Sequence, residues 1–108
     1  MPTRPPETAT SDIFSPGEEV WIDDLGEGTY RIRRPFTVKI TRIGMGNFEA
    51  SFREGNIAMS GTDRDDAFQS LVAEILDTLD ILREEQDLIP SAARQLQVLR
   101  KYIVQNKA

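Results

Sequence analysis

The sequence predicts an α+β domain: a three- to four-stranded antiparallel β-meander covered by a long amphipathic helix, with a shorter helix C-terminal to it. Three patterns predict it. Phe36, Val38 and Ile40 alternate with Thr37, Lys39 and Thr41, and Phe48, Ala50 and Phe52 alternate with Glu49, Ser51 and Arg53. A period of two marks strands with one buried face. From Phe68 the period changes: Phe68, Leu71, Val72, Ile75, Leu76, Leu79 and Leu82 fall within about 100° of arc when residues are spaced as in a helix. Pro90 then sits where a second helix would start, with Ala92, Leu96, Leu99 and Ile103 as its stripe to about Val104.

Residues 1–17 carry Pro2, Pro5, Pro6 and Pro16 among Thr and Ser, with little to bury, and read as a disordered arm. A single domain is expected over 18–108. In EEVWIDDLGEG, Val20 and Ile22 alternate as in a short edge strand. Trp21 is expected to pack over the domain or to anchor an interface. Tyr30 and Ile32 read as the start of the ribbon that continues through Phe36, with Pro35 restricting it to an edge or bulge. Gly44-Met45-Gly46-Asn47 is a hairpin loop, Glu54-Gly55-Asn56 the next turn, and NIAMS a third strand.

Ser60-Gly61-Thr62-Asp63 joins that strand to the long helix. As a phosphate loop it has one glycine, no lysine and an aspartate where the anion would sit. As a metal site, DRDD offers three carboxylates, but their spacing fits no EF-hand, and the strands add only Glu49 for a two-metal centre. The favoured reading is a capping box, with Thr62 as N-cap and Asp65 three residues on. The joint is architecture.

The 108 residues contain neither cysteine nor histidine. That removes disulfides, thiolate or imidazole zinc sites and Cys- or Ser-His nucleophiles. No apolar run approaches the length of a membrane span and no signal-peptide core is seen, so a cytoplasmic protein with no cofactor is expected. Net charge is −5. Between Asp63 and Asp87 nine acids stand against Arg64 and Arg83, whereas the charged residues after Ser91 are Arg94, Arg100, Lys101 and Lys107. An acidic chain is a poor general ligand for nucleic acid, so direct nucleic-acid binding is not expected; a basic protein suits it better. Arg31, Arg33 and Arg34 could meet an acidic or nucleic-acid partner, but a solvated strand edge is the favoured reading. Arg94, Arg100, Lys101 and Tyr102 could touch RNA, but solvent exposure or pairing with the acidic helix is favoured. Asp66, Asp77, Asp80 and Glu84 lie on the far side of the long helix, and Ile81 sits among them where no core explains it. These five residues form the candidate partner-binding face.

The order strand, strand, strand, helix, with FEASFREGNIAMSGTDRDDAFQSLVAEILDTL, resembles the HicB-like antitoxin family. There a strand of the VASF type, a turn, an A-GDT-EEA joint and a long amphipathic helix recur. The matching residues are Ala50, Ser51, Phe52, Ala58, Gly61, Thr62, Asp66 and Ala67, and the resemblance spans about residues 30–104. It implies a partial ribonuclease-H-like sheet with a covering helix. It also implies a non-catalytic type II antitoxin that binds and blocks a small basic ribonuclease toxin. The chain departs from the family in three respects. The Pro and Cys often found before the joint are replaced around Glu54-Gly55-Asn56-Ile57, the N-terminal extension is unusual, and no ribbon-helix-helix or helix-turn-helix pattern follows residue 105. A stand-alone form without promoter binding is therefore expected. The alternative is a self-assembling homo-oligomeric subunit using the sheet edge or last helix. A carboxylate-metal nuclease is the minor third reading.

Overall fold

Pairing runs without a break across four strands. The computed structural model describes residues 17–106, in which β1 (Glu18–Ile22), β3 (Phe36–Gly44), β4 (Asn47–Phe52) and β5 (Ile57–Gly61) form an antiparallel sheet in that spatial order. The long helix α1 (Arg64–Glu84) and the shorter α2 (Pro90–Tyr102) follow. The α+β class is as the sequence predicts, with four strands in the sheet. The N-terminal arm, Gly17 apart, lies outside the described residues.

The alternation found in the sequence sorts the sheet into two faces. Ile22, Phe36, Val38, Ile40, Ala50, Phe52 and Ile57 are buried beneath the helices with Leu71, Ile75, Leu79, Leu99 and Ile103. The opposite face carries the row Glu19, Lys39, Ser51 and Ala58, one residue from each strand directly opposite the next. One packed and one solvated face is the usual arrangement for an antiparallel sheet. Met45 and Gly46 turn the β3–β4 hairpin, with Gly46 at φ 71° and a register shift between Arg42 and Gly44. A positive φ at the second loop position suits glycine.

The joint between β5 and α1 confirms the hinge reading and moves its cap by one residue. Asp63, not Thr62, is the N-cap: its Oδ1 accepts the Asp66 N–H at 2.7 Å. Asp66 returns the favour by accepting the Thr62 N–H at 2.9 Å. Either residue type caps well, and the extended backbone at Asp63 decides the matter. Gly61 is required by close approach. A Cβ there would come within 2.4 Å of the Ala67 backbone nitrogen.

Two expectations give way to one feature. Tyr30–Ile32 (β2) does not continue into β3 but leaves the main sheet and pairs antiparallel with Ile103–Gln105 (β6). The backbone breaks at Arg33-Arg34-Pro35, where both arginine N–H groups donate to the Tyr102 carbonyl. Helix α2 accordingly stops at Tyr102 rather than Val104. Ile103 and Val104 are β-branched and find a strand partner there. Helix α2 is tied to the far end of the sheet by rings and by one amide. Tyr102 lies 5.2 Å from the Phe36 ring and 5.8 Å from Phe52, and Gln95 Nε2 donates to the Gly55 carbonyl at 2.7 Å.

Candidate functional site

Helix α1 places the five candidate residues unequally. Asp77, Ile81 and Glu84 are exposed on its solvent side, in its last two turns. Ile81 is 61% exposed, while the leucines, the valine and the other isoleucine of the helix are buried or half-buried. Asp66 does not join them. It lies at the helix start, about 16 Å along the axis from Asp77 by helical rise, and its carboxylate holds the Thr62 N–H.

Asp80 is already engaged from within the molecule. The buried Tyr30 hydroxyl donates to Asp80 Oδ1 at 2.5 Å, and Arg83 Nη1 donates to the same hydroxyl oxygen at 2.7 Å. Arg83 lies 3.8 Å from Asp80, places its guanidinium over the Tyr30 ring at 5.7 Å, and reaches Gln105 Oε1 with Nη2 at 3.2 Å. Burial above all, then the bond to Asp80, pushes the Tyr30 phenol above the ordinary tyrosine range. Asp80 therefore fastens β2 to α1. Spacing along the helix could not reveal a partner fifty residues away.

The contact face that remains is Asp77, Ile81 and Glu84, bordered by the exposed Glu85 and Asp87. Its electrostatics run against local helix stability. Acids belong at the positive N-terminus of a helix, yet Glu84 and the C-cap Glu85 crowd the negative end. The basic residues of α2 show the reverse. Arg100 and Lys101 stand in its last turn, where the dipole favours them.

Those α2 residues do not pair with the acids of α1. Lys101 Nζ meets Glu54 Oε2 at 2.5 Å, and the Tyr102 hydroxyl donates to Glu54 Oε1 at 2.5 Å. Hydrogen bonds from Lys101 and then Tyr102 hold the Glu54 carboxyl below the ordinary range. The same contact raises the Tyr102 phenol. Arg33 and Arg34, far away in sequence, come beside Gln97, Arg100 and Lys101 around a shallow depression of about 480 Å³. A second depression of about 530 Å³ opens on the solvated sheet face between Trp21, Lys39, Arg53 and Tyr102, and Arg34 borders both. Trp21 is 67% exposed, so it is not packed over the domain.

Among the described residues no three carboxylates come close enough together to hold a metal ion, and no helix is long and apolar enough to cross a membrane. Comparison with known proteins finds no matching family model, curated protein or solved structure.

Proposed function

We propose that the chain is a non-catalytic protein-binding domain of antitoxin type, which holds a small basic ribonuclease toxin against the C-terminal half of α1. The observation that carries the reading is Ile81, an exposed aliphatic side chain between Asp77 and Glu84 at a helix end where acids are locally unfavourable. An apolar anchor ringed by one sign of charge suits a partner of the opposite sign, and burying it would relieve the repulsion among the acids. The sheet-plus-covering-helix architecture and the turn residues shared with HicB-like antitoxins point the same way.

The test is capture of a small basic protein from native extract by the tagged chain, compared with D77K/E84K and I81S variants. These leave Asp80 and its bond to Tyr30 intact. Loss of capture in both variants, with the captured protein arresting growth when expressed alone and the chain reversing the arrest, supports the reading. Undiminished capture by D77K/E84K refutes the contact face.

A second reading is favoured by the outer edge of β5. Among the described residues that strand, Ile57–Gly61, has no partner on one side, and no residue in it is charged, whereas the other edge, β1, carries Glu18 and Glu19. Uncharged free edges pair readily. Two copies joined there about a twofold axis would make an eight-stranded sheet. A dimer by light scattering that M59K converts to monomer supports this alternative.

A further inference from the structure

Six cations gather on one side of the molecule. Arg33, Arg34, Lys39, Arg53, Arg100 and Lys101 line the two depressions that meet at Arg34, with Glu19 and Glu54 as the acids among them. Of the six, Lys101 alone forms an ion pair with a described residue, and Glu54 is its partner. The other five side chains make no ion pair or hydrogen bond to a described residue, although Arg34 acts on Glu54 through space. Net charge therefore misleads here. Half of the acids lie between Asp63 and Asp87, whereas around the two depressions six cations stand against Glu19 and Glu54.

Trp21 stands on that same face. It is the one tryptophan of the chain, lies directly opposite Thr37 on β3, and projects from the solvated side of the sheet with two-thirds of its surface exposed. Its two strand neighbours behave otherwise, Val20 being half-buried and Ile22 buried. A large planar ring held on a rigid strand is a stacking platform, and base–aromatic stacking tolerates any sequence because every base has a π-face. Cations flanking such a platform hold phosphates. Duplexes hide the faces of their bases; single strands present them.

We propose that the solvated sheet face binds single-stranded nucleic acid, with a base stacked on Trp21 and the phosphodiester backbone running over Lys39, Arg53 and Arg34 towards Arg33 and Arg100. The face is distinct from the acidic end of α1, and the binding does not depend on the antitoxin reading. An acidic peptide would satisfy the cations, but it would leave the exposed indole without a stacking partner.

Trp21 fluorescence reads the contact directly. Uridine and thymidine oligonucleotides of about ten nucleotides, near the site size of small single-strand binders, are titrated into the full chain, with a duplex and polyglutamate as comparison ligands. The expected result is saturable quenching by one or both single strands, with affinity falling with salt at a log–log slope of about −3.5. W21F, read by oligonucleotide anisotropy, weakens binding at least about fivefold. R33A/R100A weakens it and makes the slope shallower by about 1.4. Both variants change exposed side chains and leave the backbone bonds of Arg33 and Arg34 to Tyr102 in place. RNA-only or DNA-only quenching assigns the strand type. No quenching by either strand at about 50 mM salt, equal binding by W21F, or equal quenching by polyglutamate each overturns the proposal. D77K/E84K keeps Trp21 and all six cations, so loss of toxin capture with oligonucleotide binding retained separates the two faces.

Discussion

Replacing Tyr30 by Phe removes a single oxygen and leaves the ring in the core. That oxygen donates to Asp80 and accepts from Arg83, both charged, while the ring is 97% buried. A hydrogen bond to a charged group contributes about 1.5–3 kcal/mol. The Asp80 side chain is 56% exposed and Arg83 30% exposed, so water recovers part of the loss when the hydroxyl goes. The net expectation is a loss of about 1–1.5 kcal/mol, or a fall in Tm of about 8 °C for a domain of this size. Urea unfolding followed by far-UV circular dichroism measures it; the exposed Trp21 is a poor reporter of the core. A double-mutant cycle with D80A should return a coupling of about 1 kcal/mol. The high phenol adds an alkaline signature. The folded chain keeps the Tyr30 proton to higher pH than the unfolded chain does. Its contribution is therefore complete below the ordinary tyrosine range, about pH 10, and is lost as pH rises through the folded value. Y30F should lack that alkaline decline. An unfolding curve for Y30F superimposed on the wild type, or strict additivity with D80A, would refute the argument that Asp80 serves the fold.

Other outcomes follow from the same contacts. D63A should cost about 1 kcal/mol through loss of the N-cap, and T62A less, about 0.3 kcal/mol, since Thr62 keeps its backbone N–H bond to Asp66 at 2.9 Å and loses only the longer, exposed hydroxyl bond at 3.3 Å; thermal melts rank the two. G61A should cost roughly 1–3 kcal/mol, because the new methyl meets helix backbone rather than a movable side chain. Glu54 is held below the ordinary carboxyl range by Lys101 and Tyr102, so its contribution is present above that range and lost as pH falls through the folded value. E54Q should lower the neutral plateau of a stability–pH profile and leave its acid limit nearly unchanged, so that the acid limb flattens.

The sheet and the long helix were legible because each repeats a period over enough residues to be counted. Phe36, Val38 and Ile40, or Leu71, Ile75 and Leu79, state their buried face outright. The β2–β6 ribbon was not legible. Three-residue strands have no measurable period, and Arg31 meets Val104 across most of the chain. The cap missed by one residue because Thr62 and Asp63 are both competent, and only backbone geometry chooses. The candidate face read correctly as solvent-facing for Asp77, Ile81 and Glu84, which depends on helical phase alone. Asp80 shares that phase, but its bond to Tyr30 is tertiary. The basic face was hidden more deeply still. Arg33 and Arg34 lie in one half of the sequence and Arg100 and Lys101 in the other, and each pair alone resembles ordinary surface charge.

The ribbon between β2 and β6 also sets an order of events in time. Its strands bracket seventy residues, including three strands of the main sheet and both helices. Closing so long a loop costs chain entropy that three residue pairs cannot recover by themselves. The ribbon forms once the hairpins and helices have already brought its ends together, and its short ladder is the first to yield when the domain breathes. Tyr102 sits beside this clasp, accepting from Arg33 and Arg34 through its carbonyl and gripping Glu54 through its hydroxyl. Each opening therefore loosens the meeting point of the basic depressions through Tyr102 and the last turns of α1 through Tyr30 and Gln105, so that one short clasp couples the two surfaces of the domain.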